Sequence, residues 1–175
     1  TGPDIEKLGL VDGEVLRYAR GSNTSYAQIF KTLDLDSLGI NTALVDAGAV
    51  TFGDGTTGVI GVVSAFNSLV GSSDYDYLGD SDYGFFAVTA LTNGNYVVSS
   101  SGWRNGEIEY AGVVTFGDGT TGVTGVITAA NSLIGSSEYD SVGYGGVTAL
   151  TNGNYVVSSP QWSIGTKYGT GAVTF

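Results

Sequence analysis

The stretch VTALTNGNYVVSS occupies residues 88–100, and the same thirteen residues return at 147–159, a spacing of 59. In each copy an Asn-Gly pair (Asn93-Gly94 and Asn152-Gly153) separates two runs of apolar and β-branched residues. A tight turn between strands needs residues that accept a positive φ, and Asn-Gly is a strong short-range signal for one. The stretch therefore predicts an antiparallel hairpin, and its identical return marks a duplicated structural unit.

A second, longer repeat surrounds the hairpins. Residues 47–76 and 111–140 are identical at 23 of 30 positions, at a spacing of 64. Because the hairpins return at a spacing of 59, the first unit carries five extra residues before its hairpin. The chain therefore divides into an N-terminal non-repeat segment at 1–46, repeat units at 47–110 and 111–169, and the start of an incomplete third unit at 170–175.

Each unit reads as four short strands joined by turns. In the first unit these are residues 49–52, residues 58–65, a strand that ends at Leu91, and residues 96–100, with a loop at 67–75. Near-identical copies favour propellers or solenoids, because repeats stack on like neighbours. We expect an all-β protein of β-propeller-like repeats, each of four short antiparallel strands. A right-handed parallel β-helix is the alternative, although hairpins make antiparallel pairs.

The N-terminal segment differs from the repeats in its apolar spacing. Tyr26, Ile29, Phe30 and Leu33 follow one another at helical intervals within residues 25–38. This pattern predicts one short N-terminal helix.

Composition excludes several functions. The chain has 17 acidic and 6 basic residues, a net charge of −11, whereas nucleic-acid binding requires clusters of Lys and Arg. It has no Cys, His or Met, which removes disulfides, thiol nucleophiles, His-dependent acid–base chemistry and the usual zinc ligands. The GDGTTG turns at 53–58 and 117–122 lack the Lys and the following helix of a phosphate-binding loop. We expect no enzymatic activity. We also expect no membrane insertion, because no apolar run approaches the ~20 residues that span a bilayer.

The repeats resemble two known kinds of module. Residues 88–100 and 147–160, each followed by a Trp (Trp103, Trp162) and an Ala-Val-Thr-Phe-type strand, resemble blades of integrin-type (FG-GAP) β-propellers. The Gly-, Thr- and Val-rich repeats over 47–175 are similar to modules of large bacterial surface proteins of the filamentous-haemagglutinin kind. This resemblance implies a secreted or cell-surface structural or adhesive protein. The integrin-type calcium loop uses alternating carboxylates, and the Asn-Gly turns of this chain carry none.

One acidic loop offers candidate metal ligands. It contains Asp74, Asp76, Asp80 and Asp82 within nine residues. Hard oxygen ligands at this density are those that Ca²⁺ takes, although the spacing is not that of an EF-hand. The corresponding loop of the second unit keeps only Glu138 and Asp140, so a solvated acidic loop is the alternative. We expect no other cofactor.

Aromatic residues in the first unit are candidates for contact with a glycan. They are Tyr77, Tyr83, Phe85 and Trp103. Sugar sites stack an aromatic ring on the apolar face of the sugar, while nearby polar groups fix its orientation. The alternative is packing between neighbouring repeats, which the equivalent positions of Trp103 and Trp162 favour.

Two full units are fewer than the four to eight blades of a closed propeller. Open strand edges recruit other chains. The last strand, formed by Ala172, Val173, Thr174 and Phe175, lacks the partner that residues 58–65 were expected to provide in the first unit, so strand exchange between protomers would complete it. We therefore predict a homo-oligomer or polymer, or a piece of a longer repeat protein. The alternative function is a lectin-like propeller that binds glycans through its aromatic loops.

Overall fold

A computed structural model of the chain describes residues 44–80 and 88–175, and this part contains ten short strands and no helix. The strands are β1 (Ala49–Thr51), β2 (Ser68–Val70), β3 (Val88–Ala90), β4 (Tyr96–Ser100), β5 (Val113–Gly117), β6 (Gly125–Val126), β7 (Ser132–Ile134), β8 (Val147–Ala149), β9 (Tyr155–Ser159) and β10 (Ala172–Thr174). They form three open sheets in the orders β1-β2-β6, β3-β4-β5-β7 and β8-β9-β10. The predicted helix at 25–38 lies outside the described residues.

Both predicted hairpins are confirmed. β3 pairs antiparallel with β4, and β8 pairs antiparallel with β9. In the first turn, Gly94 N donates to Leu91 O at 3.1 Å and Leu91 N donates to Asn95 O at 2.8 Å. Gly94 has a φ of 89°, and the equivalent Gly153 a φ of 87°. The Gly of each Asn-Gly pair therefore takes the positive φ that this tight turn requires.

The complete sheet spans the boundary between the two sequence units. β3 and β4 come from residues 47–110, whereas β5 and β7 come from residues 111–169. β4 pairs antiparallel with β5, and β5 pairs antiparallel with β7. By the repeat spacing, β1 and β2 correspond to β5 and β7, and β8, β9 and β10 correspond to β3, β4 and β5. In the described part of the chain, the first sheet thus has the last two strands of this pattern, and the third sheet has the first three.

The predicted strand at residues 58–65 is wrong. The strand that pairs with β1 is β2, which lies within the stretch predicted as a loop. Asn67 holds the preceding run in a turn, because its Oδ1 accepts from Ser64 N at 2.9 Å and its Nδ2 donates to Val62 O at 3.0 Å. Asn131 repeats both contacts in the second unit. In both units the apolar run therefore ends in a turn, and the strand that pairs with β1 or β5 begins only after the Asn.

The expected partner of the last strand is corrected in the same way. β10 pairs antiparallel with β9, with Val173 opposite Ser158. Its equivalent β5 has β4 on one side and β7 on the other. The strand that would complete the third sheet is therefore one of the β7 type, not one like residues 58–65.

The middle sheet is buried on both faces. Val98 and Val113 pack into one cluster with Leu69 of the first sheet. Val97 packs into a second cluster with Val157 of the third sheet. Successive residues of a strand point to opposite faces, so the Tyr-Val-Val run of β4 supplies both clusters. This explains why the repeated stretch is apolar at consecutive positions.

One strand pairing among the described residues is parallel. β6 follows β5 along the chain and pairs with the outer edge of β2 in the first sheet. All other strand pairs in this part of the chain are antiparallel, which does not support the parallel β-helix alternative. The first strands of the second and third sheets, β3 and β8, lie against each other.

Candidate functional site

A buried aspartate joins each sheet to the next. Asp76 is fully buried, and its Oδ2 accepts from Ser72 N at 2.7 Å and from Ser73 N at 2.8 Å. Its Oδ1 accepts from Arg104 N, beyond β4 of the middle sheet, at 3.0 Å. Asp140 repeats this arrangement with Ser136 N, Ser137 N and Ser163 N. Each carboxylate therefore links a loop of one sheet to the segment that follows the hairpin of the next.

Aromatic stacking repeats at the same junctions. The Phe52 and Tyr96 rings stack with centroids 5.8 Å apart, and the Phe116 and Tyr155 rings stack with centroids 6.4 Å apart. Asn93 Nδ2 donates to Gly153 O at 3.3 Å, so the two hairpin turns also touch. A Cβ on Gly153 would lie 2.5 Å from that Nδ2 atom. We call the repeated aspartate and aromatic contacts the inter-sheet joint.

A cleft with a volume of about 150 Å³ opens beside the first joint. Its lining includes Tyr75, Tyr77, Asp80, Arg104, Glu109 and Tyr110. Arg104 Nη1 and Glu109 Oε1 form an ion pair at 3.2 Å. Aromatic faces beside paired charged groups can stack on a sugar ring and hydrogen-bond its hydroxyls.

Tyr110 continues into a second cleft. This cleft is lined by Tyr139, Tyr144, Ser141 and Gln161 in addition to Tyr110. The Tyr110 and Tyr139 rings stack with centroids 5.4 Å apart. We call Tyr75, Tyr77, Tyr110, Tyr139 and Tyr144 the tyrosine row.

Four members of the tyrosine row have a left-handed backbone. Tyr75 and Tyr139 each have a φ of 63°, Tyr77 a φ of 47° and Tyr110 a φ of 50°. This conformation costs an L-residue about 1–2 kcal/mol. Gly169, the equivalent of Tyr110 in the next unit, has a φ of 62°. The strained position therefore accepts glycine, yet carries an exposed aromatic ring in the middle of the chain.

The structure places the predicted glycan contacts in different surroundings. Tyr77 lines the first cleft and is 43% exposed. Trp103 is 2% exposed and packs in the core with Leu69, so its ring is not on the surface where a glycan would bind. Tyr83 and Phe85 lie outside the described residues.

The predicted calcium ligands do not share one described cluster. Asp74 Oδ1 accepts from Val45 N at 2.8 Å, and the carboxylate of Asp76 is used in the inter-sheet joint. Asp80 lines the first cleft, and Asp82 lies outside the described residues. Within residues 44–80 and 88–175, no group of three His, Cys, Asp or Glu could hold a metal ion.

The two GDGTTG segments form equivalent turns, as predicted. Asp54 Oδ1 accepts from the Thr56 hydroxyl, from Thr56 N at 2.6 Å and from Thr57 N at 3.1 Å. These hydrogen bonds, led by that of the Thr56 hydroxyl, lower the pKa of Asp54 to about 2. The Thr120 hydroxyl leads the same set of bonds at Asp118 and lowers its pKa to about 2.

Sequence reasoning missed Tyr110, Arg104 and Glu109. All three are near the end of the first unit, where the two units share little sequence. Tyr110 lies at the position of Asp46 and Gly169 in the other copies, so a comparison of the repeats does not identify it as a shared site residue. A tyrosine at a position where the other copies carry turn-forming residues is the one signal that could have identified it.

Stacked open sheets, joined by the same contacts at each repeat, define an all-β repeat protein. The chain belongs to the family described as a repeat of unknown function (DUF5650), which matches residues 40–80, 90–144 and 149–175. Searches of the curated proteins and of the solved structures each return no match. Nothing in these comparisons links the chain to integrin-type or haemagglutinin-type modules.

No helix in the described parts of the chain is long and apolar enough to cross a membrane.

Proposed function

We propose that this protein is a non-enzymatic structural or adhesive repeat module that acts outside the cell and self-associates through exposed strand edges. The observation that supports this proposal is the inter-sheet joint, whose aspartate and aromatic contacts occur twice at equivalent positions. A surface that binds one repeat can bind another of the same kind. The extracellular location rests on the resemblance to bacterial surface modules.

Two apolar residues that are exposed on the third sheet are equivalent to residues of the middle sheet that pack against the third sheet. Val173 is 74% exposed, whereas its equivalent Val114 is 3% exposed and packs in the cluster that contains Val157 of the third sheet. Phe175 is 81% exposed, whereas its equivalent Phe116 stacks on Tyr155. Apolar side chains at this exposure favour contact with a further repeat.

Blade-like sheets are part of this proposal. The middle sheet has four antiparallel strands in sequence order, and the first strands of the second and third sheets touch. Propeller blades have this arrangement around a central axis. An assembly of the described repeats would thus be an oligomer, a filament or a surface array of blades.

Sedimentation velocity over a wide range of protein concentration tests self-association. We expect the mean mass to rise with concentration, and to rise further at high salt, because salt screens the repulsion between copies that carry a net charge of −11. A mass that stays at that of one chain at every concentration and salt level would contradict the proposal.

Glycan binding by the tyrosine row is a second candidate function. It is favoured by the left-handed tyrosines that line two adjoining clefts beside the Arg104–Glu109 ion pair. A glycan array tests it with Tyr110→Ala, which removes the ring shared by both clefts. Tyr168→Ala is the matched control, because Tyr168 is 82% exposed and lines neither cleft. Binding that is absent in the unmodified protein, or equal in both variants, would remove this candidate.

A further inference from the structure

The second unit contains a loop that docks on the preceding sheet. After the GDGTTG turn, residues 123–130 reach the outer edge of β2, where Leu69 lies opposite Gly125 and Val70 opposite Val126 in parallel pairing. Ile127 of this loop is 3% exposed and belongs to the same core cluster as Leu69. This contact shows that such a loop binds the outer strand of a neighbouring sheet built from the same repeat.

The equivalent loop of the first unit, residues 59–66, is uncovered. Val63 at the position of Ile127 is 58% exposed, and Ile60 and Phe66 are 94% and 96% exposed. These last two replace Thr124 and Ala130 of the second unit. The loop of the first unit, which no other described residues cover, is thus more apolar than the covered loop of the second unit. An exposed apolar patch of this kind marks a contact surface.

A matching edge is uncovered on the middle sheet. β7 is the equivalent of β2 and, among the described residues, pairs only with β5. Leu133 on β7 is 38% exposed, whereas its equivalent Leu69 is fully buried under β6 and its loop. Within the described residues, the edge of β7 therefore has the geometry of the edge of β2 without its partner.

The strand that precedes the uncovered loop matches the last strand of the chain. Residues 49–52 and 172–175 both read AVTF. β1 is an edge strand in the described part of the first sheet. In the third sheet, β10 pairs only with β9 among the described strands. A β1 strand could therefore replace β10 beside β9 with the same side chains in the same register.

We propose that two copies of this chain join head to tail by strand exchange. β1 of one copy replaces β10 beside β9 of the other, β2 becomes the fourth strand of that sheet, and residues 59–66 dock on the edge of β7. Gly61 then lies opposite Leu133, and Val62 opposite Ile134, as in the internal pairing of β6 with β2. This inference rests on the proposed self-association, and in it Val50 and Phe52 of the incoming β1 take the positions of Val173 and Phe175 in the third sheet.

Charge is compatible with a second copy as the partner. Neither residues 58–66 nor residues 128–137 contain a charged side chain, although the whole chain carries a net charge of −11. Two acidic molecules can approach through these surfaces with little direct repulsion. The contact joins two different surfaces, so it propagates along a filament or closes into a ring.

Thiol cross-linking tests the contact, since the chain has no cysteine of its own. A Val62→Cys variant is mixed with an Ile134→Cys variant and treated with a short thiol cross-linker. We expect a covalent dimer, and a ladder of multimers from the variant that carries both substitutions. The control is the Val70→Cys, Val126→Cys variant, whose two residues are paired within one chain and should cross-link with the added mass of one linker and no covalent dimer.

The cross-linking outcomes separate this inference from the proposed function. If the control links and the protein self-associates, but residues 62 and 134 do not link between copies, the inference is wrong and the proposed function survives. If the doubly substituted variant links only within one chain, the loop and the edge meet in the same copy and the inference is also wrong. A protein that stays monomeric at every concentration overturns both.

A second variant tests the strand exchange itself. Thr174→Pro removes a backbone N–H from β10 and weakens its pairing with β9. If β1 of another copy replaces β10, this variant should associate at least about tenfold more tightly, a change of about 1.4 kcal/mol. Phe66→Ser should weaken association by a similar factor. Weaker association in Thr174→Pro would show that β10 is itself the docking strand and would overturn the exchange.

Discussion

Residues 47–76 and 111–140 are nearly the same sequence in two different surroundings. Their local hydrogen bonds are the same: Asp54 and Asp118 close equivalent turns, and Asn67 and Asn131 hold equivalent loops. Their burial differs, because the second copy has a preceding sheet to dock on within the described residues. The comparison teaches that these sequences encode turns by themselves, whereas their apolar side chains become buried only against a neighbouring repeat.

The largest expected contrast is between Ile127 and Val63, which are equivalent positions in the two copies. Ile127→Ala should lower the free energy of unfolding by about 3 kcal/mol, because it leaves a cavity in a packed cluster. Val63→Ala should change it by less than about 0.5 kcal/mol in the monomer, since Val63 is 58% exposed. Urea unfolding of dilute protein measures both values.

Equal losses at the two positions would contradict the comparison. They would mean that Val63 is covered in dilute solution. The same measurement at high protein concentration then shows whether that cover depends on a second copy.

A smaller contrast is expected inside the joint between the second and third sheets. Asp140→Ala leaves the N–H groups of Ser136, Ser137 and Ser163 without their acceptor, which should cost about 2 kcal/mol. Glu138→Ala, two residues away at an exposed site, should have almost no effect. Amide hydrogen exchange in β9 should speed up in the first variant only. Faster exchange in both variants would show that the loop, rather than the carboxylate, stabilises the joint.

The sequence allowed the local structure to be predicted better than the tertiary contacts. The Asn-Gly hairpins and the GDGTTG turns were predictable because their signals lie within a few residues. The positions of β2 and β7 were not predictable. The apolar residues at 58–65 suggest a strand there, whereas Asn67 holds this run in a turn. Propensity is a weak guide wherever one side chain can bond the backbone of its own loop.

The candidate site was less predictable than the fold. Asp76 was a candidate calcium ligand, but its carboxylate accepts three backbone N–H groups from segments that follow strands of two different sheets. Its role depends on a contact over 28 residues of sequence, which no local pattern encodes. The tyrosine row likewise depends on left-handed backbone conformations that bulky residues rarely adopt.

The smallest expected effect concerns pH and tests whether the two copies of the GDGTTG turn are locally determined. The pKa of Asp54 and of Asp118 is lowered from 3.8 to about 2 by hydrogen bonds from the threonines two and three residues further on, chiefly from the hydroxyl of the first threonine. A folded-state pKa below the unfolded one stabilises the fold above the unfolded pKa, and this stabilisation is lost as the pH falls toward the folded value. The Asp54→Asn, Asp118→Asn variant should therefore lose less stability than the unmodified protein between about pH 5 and about pH 2. Carboxyl-carbon NMR titration should give the two aspartates the same pKa to within about one unit, because neither turn relies on a neighbouring repeat. A larger difference would show that the surroundings of each copy, and not its own sequence, set the strength of the turn.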